Sequence, residues 1–226
     1  MTQTLAYGLG RCIEHDARSR GFTFQVAATK PKTILWEHTA PVLDQKSLGS
    51  CTGNALAQWC NTSIAQAAMH DKEGRPLGYL AEGDAVELYS IATRLDGIAG
   101  EYPPSDTGSS GLAVCKAGRK LGYLTAYHHA FGFQAMLLAL QHSPVIVGTE
   151  WTQGMFTPDA AGFIRPRGAI AGGHEYLILG CDMERQALIM LNSWSDRWGI
   201  HGRAYIRFSD FQMLLANQGD VTVPIA

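Results

Sequence analysis

The sequence predicts an α+β fold, and two observations carry that prediction. Up to about residue 125 the apolar residues recur at three- and four-residue intervals, the spacing that gathers them on one face of a helix. Beyond it they collect in short runs bounded by turn formers, which is the pattern of strands. A chain of 226 residues, 46% of them hydrophobic, can bury one large core or two smaller ones facing each other across a cleft. We expect a single domain over 1–226, with an N-terminal arm over 1–40, a mainly helical part over about 41–125 and a mainly β part over about 126–226.

In the arm, Phe22 to Val26 alternates like a short strand and Thr29-Lys30-Pro31-Lys32 breaks it. No strong amphipathic helix occurs there, and short helices are marginal without packing. The arm is therefore expected to lie along the outside of the domain, anchored by Phe22, Phe24 and Val26, with His15 and His38 as solvated loop residues. Asp44 to Gly49 is a turn-rich approach to an apolar run at Leu56, Trp59, Cys60, Ile64, Ala67 and Ala68, which predicts a helix whose first turn holds Cys51. A turn follows at Lys72 to Pro76. Asp84 is a fair N-cap for a helix through Ala85, Leu88, Tyr89, Ala92 and Leu95, and Gly97 is its stop.

Gly100 to Gly111 is a long loop of turn formers, and loops of that length in compact domains are often functional. Helices are expected at Leu112 to Leu121 and Phe133 to Gln141, with His128-His129 in a loop-like stretch between them. Val145 to Gly148 after Pro144, His174 to Leu179, Ala187 to Leu191 and Arg203 to Phe208 predict strands, and Phe211 to Leu215 a last helical turn.

A cysteine at a helix start sits where unpaired backbone N–H groups and the positive end of the helix dipole favour a thiolate. Six residues earlier, the Gln45 amide could aim its NH2 at the same spot as the Cys51 N–H, which would supply two donors for a developing oxyanion. Gly172-Gly173-His174 opens a strand-like run, and Asn192-Ser193-Trp194 follows, leading into Trp198-Gly199-Ile200-His201-Gly202. With Gln45, Cys51, His174 and Asn192 in that order, about Pro41 to Phe208 resembles the papain family of cysteine peptidases. In that family the histidine and asparagine lie roughly 130 to 150 residues after the nucleophile; here they lie 123 and 141 residues after Cys51. Two departures stand out: Leu48 occupies the place of a usual disulfide cysteine, and Thr52 that of a usual aromatic residue. The variant around Cys51 looks like bacterial and phage members of the family.

The resemblance implies a helical lobe carrying the cysteine, an antiparallel barrel-like lobe carrying the histidine, and the site in the cleft between them. It implies Cys51 as nucleophile in a thiolate-imidazolium pair with His174, Asn192 as the group orienting the imidazole, Gln45 in the oxyanion hole, and an acyl-enzyme thioester. Trp194 would shield the His174–Asn192 hydrogen bond. Ser109, Ser110 and Gly111, before the helix at Leu112, would line the cleft and pair with extended substrate, together with Gly173. Glu175, next to His174 on a strand, points to the opposite face and suits a structural role.

The partner implied is a peptide or protein substrate, with no cofactor. A net charge of −2 and scattered Lys and Arg give no argument for nucleic acid or an anionic membrane, and no apolar run is long enough to span a bilayer. Residues 1–20 lack a signal-peptide core, so a cytoplasmic location is expected, host cytoplasm or virion if phage-encoded, with a chain competent as translated. Five cysteines, an odd number at irregular spacing, fit neither a disulfide framework nor a zinc site and suit a reducing compartment. No metal is expected, because the residue four after His174 is Ile178. Two alternatives remain at this level: a peptidoglycan stem-peptide hydrolase of the same Cys-His chemistry, and a non-catalytic module of a larger assembly such as a phage particle.

Overall fold

The structure is a computed structural model that describes residues 7–25, 29–70 and 73–226. Its helices α1 (Cys51–Cys60), α2 (Ser63–Ala68), α3 (Glu82–Ala92) and α4 (Gly111–Leu121) precede all the strands except the two-residue β1 (Ile34–Leu35). After them come β2 (Ala126–His129), α5 (Phe133–Leu140), β3 (Val145–Thr152), β4 (Ile170–Asp182), β5 (Ala187–Leu191), β6 (Arg203–Arg207), α6 (Phe208–Ala216) and β7 (Asp220–Ile225). The strands form one antiparallel sheet in the order β2-β7-β3-β4-β5-β6, with β1 added on β4.

Strand periodicity divides the core in two. Ile146, Leu177, Leu179 and Leu191 face a cluster with Leu56, Trp59, Leu88 and Val114 of the helices, while their strand neighbours Val147, Tyr176, Ile178 and Met190 face a second cluster with Met136, Leu140, Trp194 and Phe211. By the same alternation His174 belongs to the second face, and Glu175 to the helix-facing one.

All ten residues of α1 are buried, so this helix has no solvent face. It packs against α3 and α4 on one side and β3 and β4 on the other. Gly53 permits the close approach of α3, since a Cβ there would overlap the Ala85 carbonyl oxygen. Its two buried amide side chains are paired: Asn54 Nδ2 donates to Glu82 Oε1 at 2.7 Å, and Gln58 Nε2 donates to the Asn192 carbonyl at 3.3 Å while its Oε1 accepts from Leu43 N at 3.4 Å, whereas the buried Thr52 hydroxyl has no partner.

The single apolar run expected from Cys51 to Ala68 breaks at Asn61-Thr62, where Asn61 holds both backbone groups of Leu80 and Thr62 turns its hydroxyl onto the Trp59 carbonyl. At the second predicted helix Asp84 is not the N-cap. It sits three residues in and accepts from Ala81 N at 2.7 Å, so the helix starts two residues earlier. His128 and His129 lie on β2 and not in a loop, and His38 is largely buried, held below the usual imidazole range at about 4 by burial.

The arm corrects the sequence expectation most. Phe24 does pack against the sheet core, but Phe22 is exposed in a 3-10 helix over Ala17–Phe22, and Val26 lies outside the described residues. Tyr7 to Cys12 do not lie outside the lobes at all. They run through the cleft over Cys51.

Candidate active site

Four elements meet at the site. The approach segment brings Gln45, the start of α1 brings Cys51, β4 brings His174, and the turn after β5 brings Asn192. His174 Nε2 lies 2.8 Å from Asn192 Oδ1, both residues fully buried. Trp194 stacks on the imidazole at 4.8 Å between ring centres, and Trp151 meets it edge-on at 4.8 Å. The two indoles cover the imidazole on one face and one edge. Trp151, on β3 opposite Gly172, is a site residue that the sequence did not single out; its only signal was an aromatic in a strand pattern.

Gln45 is held in one orientation. Its Oε1 accepts from Ser193 Oγ at 2.5 Å, and its Nε2 donates to the carbonyls of Leu48 at 2.7 Å and Gly8 at 3.2 Å. The amide therefore presents N–H toward the cleft, as an oxyanion donor must. Ser193 is a second residue missed in the sequence, hidden between Asn192 and Trp194.

Main-chain and side-chain contacts seat the arm along the whole cleft. Tyr7 stacks on Trp194 at 4.3 Å. Gly8 N donates to Lys46 O at 2.7 Å, Ser109 N to Gly10 O at 2.8 Å, Arg11 N to Gly173 O at 3.1 Å, and Cys12 N to Ser109 O at 2.7 Å. Ser109 and Gly173 thus bind extended backbone, here the chain's own. Ser110 Oγ caps α4 at Ala113 N, 3.0 Å away, and donates to the Glu14 carboxylate, while Gly111 faces Glu175. Of this small segment only Ser109 makes backbone bonds to the arm.

Under this cover neither Cys51 nor His174 is charged, and the buried His174 Nδ1 has no hydrogen-bond partner, so the thiol and the imidazole are not bonded to each other in this form. Burial pushes the Cys51 thiol up to about 12; backbone hydrogen bonding from Glu175, Gly10 and Thr52 pulls it partly back. Burial also holds His174 down at about 4, against the hydrogen bond to Asn192 that favours its charged form. Desolvation outweighs the helix terminus, the reverse of the sequence expectation, because the expectation assumed an open cleft. Gly10 presents an N–H to the sulfur, whereas the carbonyl on Gln45 is that of Gly8, two residues back.

Cys12 is half-buried and Cys60, Cys115 and Cys181 are buried, all of them free. Among the described residues no group of three or more His, Cys, Asp and Glu is arranged to hold a metal ion, and no helix is long and apolar enough to cross a membrane.

The sequence matches no protein-family model and no curated protein sequence. The fold, in contrast, is similar to those of solved cysteine proteases. Xylellain, a cysteine protease from Xylella fastidiosa, superposes with a TM-score of 0.71 at 16% identity, covering 100% of this chain and 98% of that one. A proCathepsin B from Trypanosoma congolense gives 0.64 at 12% identity, over 96% and 86% of the two chains, and digestive procathepsin L 3 of Tenebrio molitor larval midgut 0.62 at 15%, over 98% and 77%. The chain has the papain-like α+β fold.

Proposed function

We propose that this chain is a papain-like cysteine peptidase that hydrolyses peptide bonds at Cys51, held here in a closed state by its own residues 7–12. The observation that carries the reading is a cleft already fitted to an extended peptide, with backbone bonds to Ser109 and Gly173 and a peptide carbonyl on Gln45 Nε2. The fold shared with cysteine proteases supports it.

When the arm leaves, water reaches the pair, the desolvation that keeps both groups neutral falls, and the thiol proton passes to His174. The Cys51 sulfur then adds to the substrate carbonyl carbon, and the oxyanion replaces the Gly8 carbonyl on Gln45 Nε2, with the first-turn N–H of Cys51 as second donor. His174 gives its proton to the leaving amine as the C–N bond breaks, leaving a thioester. Water, deprotonated by the same imidazole, adds to the thioester carbonyl carbon; the C–S bond then breaks, the carboxylic acid product leaves, and the imidazolium returns its proton to the sulfur. Asn192 Oδ1 holds the ring in place throughout without adding a charge.

The test is incubation of the protein, alongside Cys51→Ala, with denatured protein and with purified cell wall. Proteolysis lost in the variant supports the reading. Release of stem peptides without proteolysis would transfer the chemistry to peptidoglycan, and inertness toward both, with the arm released by Gly10→Ala, would leave a structural module.

A further inference from the structure

Arg11 is a charged residue with a side chain only 1% exposed, and the recess that receives it is built for a guanidinium. Its Nε donates to Asp220 Oδ1 at 3.1 Å, its Nη2 to the same carboxylate, and the same Nη2 to the Gln218 carbonyl at 2.6 Å. Gln218 takes a left-handed φ of 58°, which a non-glycine residue adopts at a cost, and the carbonyl on Arg11 is its own. Glu175 enters from β4, fully buried, with neither carboxyl oxygen hydrogen-bonded. The floor is Gly148: a Cβ there would lie 2.5 Å from Glu175 Oε2, 2.7 Å from Arg11 Nε and 2.8 Å from Asp220 Oδ1. Gly111 leaves the same room on the α4 side.

A structural ion pair needs only one carboxylate. Here two carboxyl groups, a backbone carbonyl and two glycines surround one guanidinium, and the residue that fills them belongs to a segment whose backbone occupies the peptide-binding groove. Burial raises the Glu175 carboxyl well above the usual range, with the Asp220 charge adding to the rise and Arg11 opposing it. The recess therefore holds one formal counter-charge and a second carboxyl in reserve. Its Asp220 end opens onto a cavity of about 670 Å³.

The geometry points to this recess as the side-chain specificity pocket of the enzyme, selecting an arginine of the substrate, with Glu175 and Asp220 as the selecting residues and Arg11 as the internal occupant. This rests on the peptidase reading. Lysine fits less well, because one ammonium cannot reproduce the flat edge that spans the Asp220 oxygen and the Gln218 carbonyl. An uncharged side chain would leave the Asp220 carboxylate without the donors that Arg11 supplies.

Two readouts on the full chain test it, one of them independent of catalysis. In Arg11→Ala, millimolar ethylguanidine should raise the melting temperature by several degrees, butylamine less, and neither should act on Arg11→Ala/Glu175→Gln/Asp220→Asn. Should Arg11→Ala not fold, the unaltered chain serves: ethylguanidine should speed hydrogen exchange at the Gly10 to Cys12 amides by displacing the side chain. Indifference to ethylguanidine in both formats overturns the pocket. In a mixed peptide library, the active chain should favour arginine over leucine at one subsite by on the order of 10- to 100-fold in kcat/KM, and Asp220→Asn should collapse that ratio. Cleavage without an arginine preference overturns the specificity assignment. Ethylguanidine binding with no cleavage of any peptide by the arm-released chain would overturn the peptidase reading, and the specificity role with it, while leaving a guanidinium site.

Discussion

Arg11 donates its backbone N–H to the Gly173 carbonyl at 3.1 Å, one residue before His174, so the arm is bound to the strand that carries the imidazole. A consequence concerns thiol reactivity. Cys51 is buried with its thiol pushed up to about 12, whereas Cys12 is half-buried at the edge of the arm. Brief alkylation of the unaltered chain at neutral pH, followed by peptide mapping, should modify Cys12 before Cys51. If Cys51 reacts first, the closed cleft described here is not the form in solution.

The His174 imidazole gives the stability of the closed form a signed pH dependence. Its folded value of about 4 lies below the ordinary 6.5, so the unfolded chain binds the extra proton and stability attributable to this residue falls as pH drops from about 6.5 to 4. The full difference is at most about 3 kcal/mol. His38 acts in the same direction, and Glu175, whose carboxyl is raised by burial, in the opposite one above pH 4.5. The measurement is therefore a difference: unfolding free energy of the unaltered chain minus that of His174→Asn, followed from pH 8 to 4. A flat difference would mean the imidazole is not buried neutral.

Ser193 should matter to turnover without touching substrate. Its hydroxyl holds Gln45 Oε1 at 2.5 Å, and losing it frees the amide to turn its N–H away from the cleft. Gln45→Ala should lower kcat by on the order of a hundredfold with little change in KM, because the donor acts on charge that appears only in the transition state. Ser193→Ala should lower kcat by less, about tenfold, again at nearly constant KM. A KM effect equal to the kcat effect would place both residues in ground-state binding instead.

The fold was more legible in the sequence than the path of the arm. Cys51 opens α1, and Ala187 to Leu191 is a strand over the residues expected, because unbroken apolar patterns report local structure directly. β7 escaped because Pro224 argues against an inner strand. It is tolerated because β3 pairs with only Asp220 to Thr222, leaving Pro224 beside β2 alone. The arm escaped for a different reason. Tyr-Gly-Leu-Gly-Arg-Cys has no helical or strand period to read, and its position is set by partners such as Asp220, 209 residues away. The alternating Gly8 and Gly10 were the one local trace, since alternate residues of an extended chain share a face.

That trace yields the most direct test of closure. A Cβ on Gly10 would lie 2.6 Å from Gly49 Cα and 2.5 Å from the Gly49 carbonyl carbon, both backbone atoms two residues before Cys51 that have no rotamer to yield. Gly10→Ala must therefore lift the arm, breaking the Ser109 N to Gly10 O bond and drawing Gly10 N–H off the sulfur. Gly21, in the same arm but outside the cleft, has no atom within 4 Å of its hypothetical Cβ, so Gly21→Ala changes the arm without moving it. We expect Gly10→Ala to accelerate both Cys51 alkylation and peptide hydrolysis by about tenfold or more, the effect of losing one or two backbone hydrogen bonds from a closed equilibrium. Gly21→Ala should match the unaltered chain in both. The melting temperature of Gly10→Ala should fall at the same time, because arm contacts contribute to the fold as well as to closure. Equal rates in the two variants, with the melting temperature of Gly10→Ala lowered, would show that the arm stabilises the fold without controlling access to Cys51.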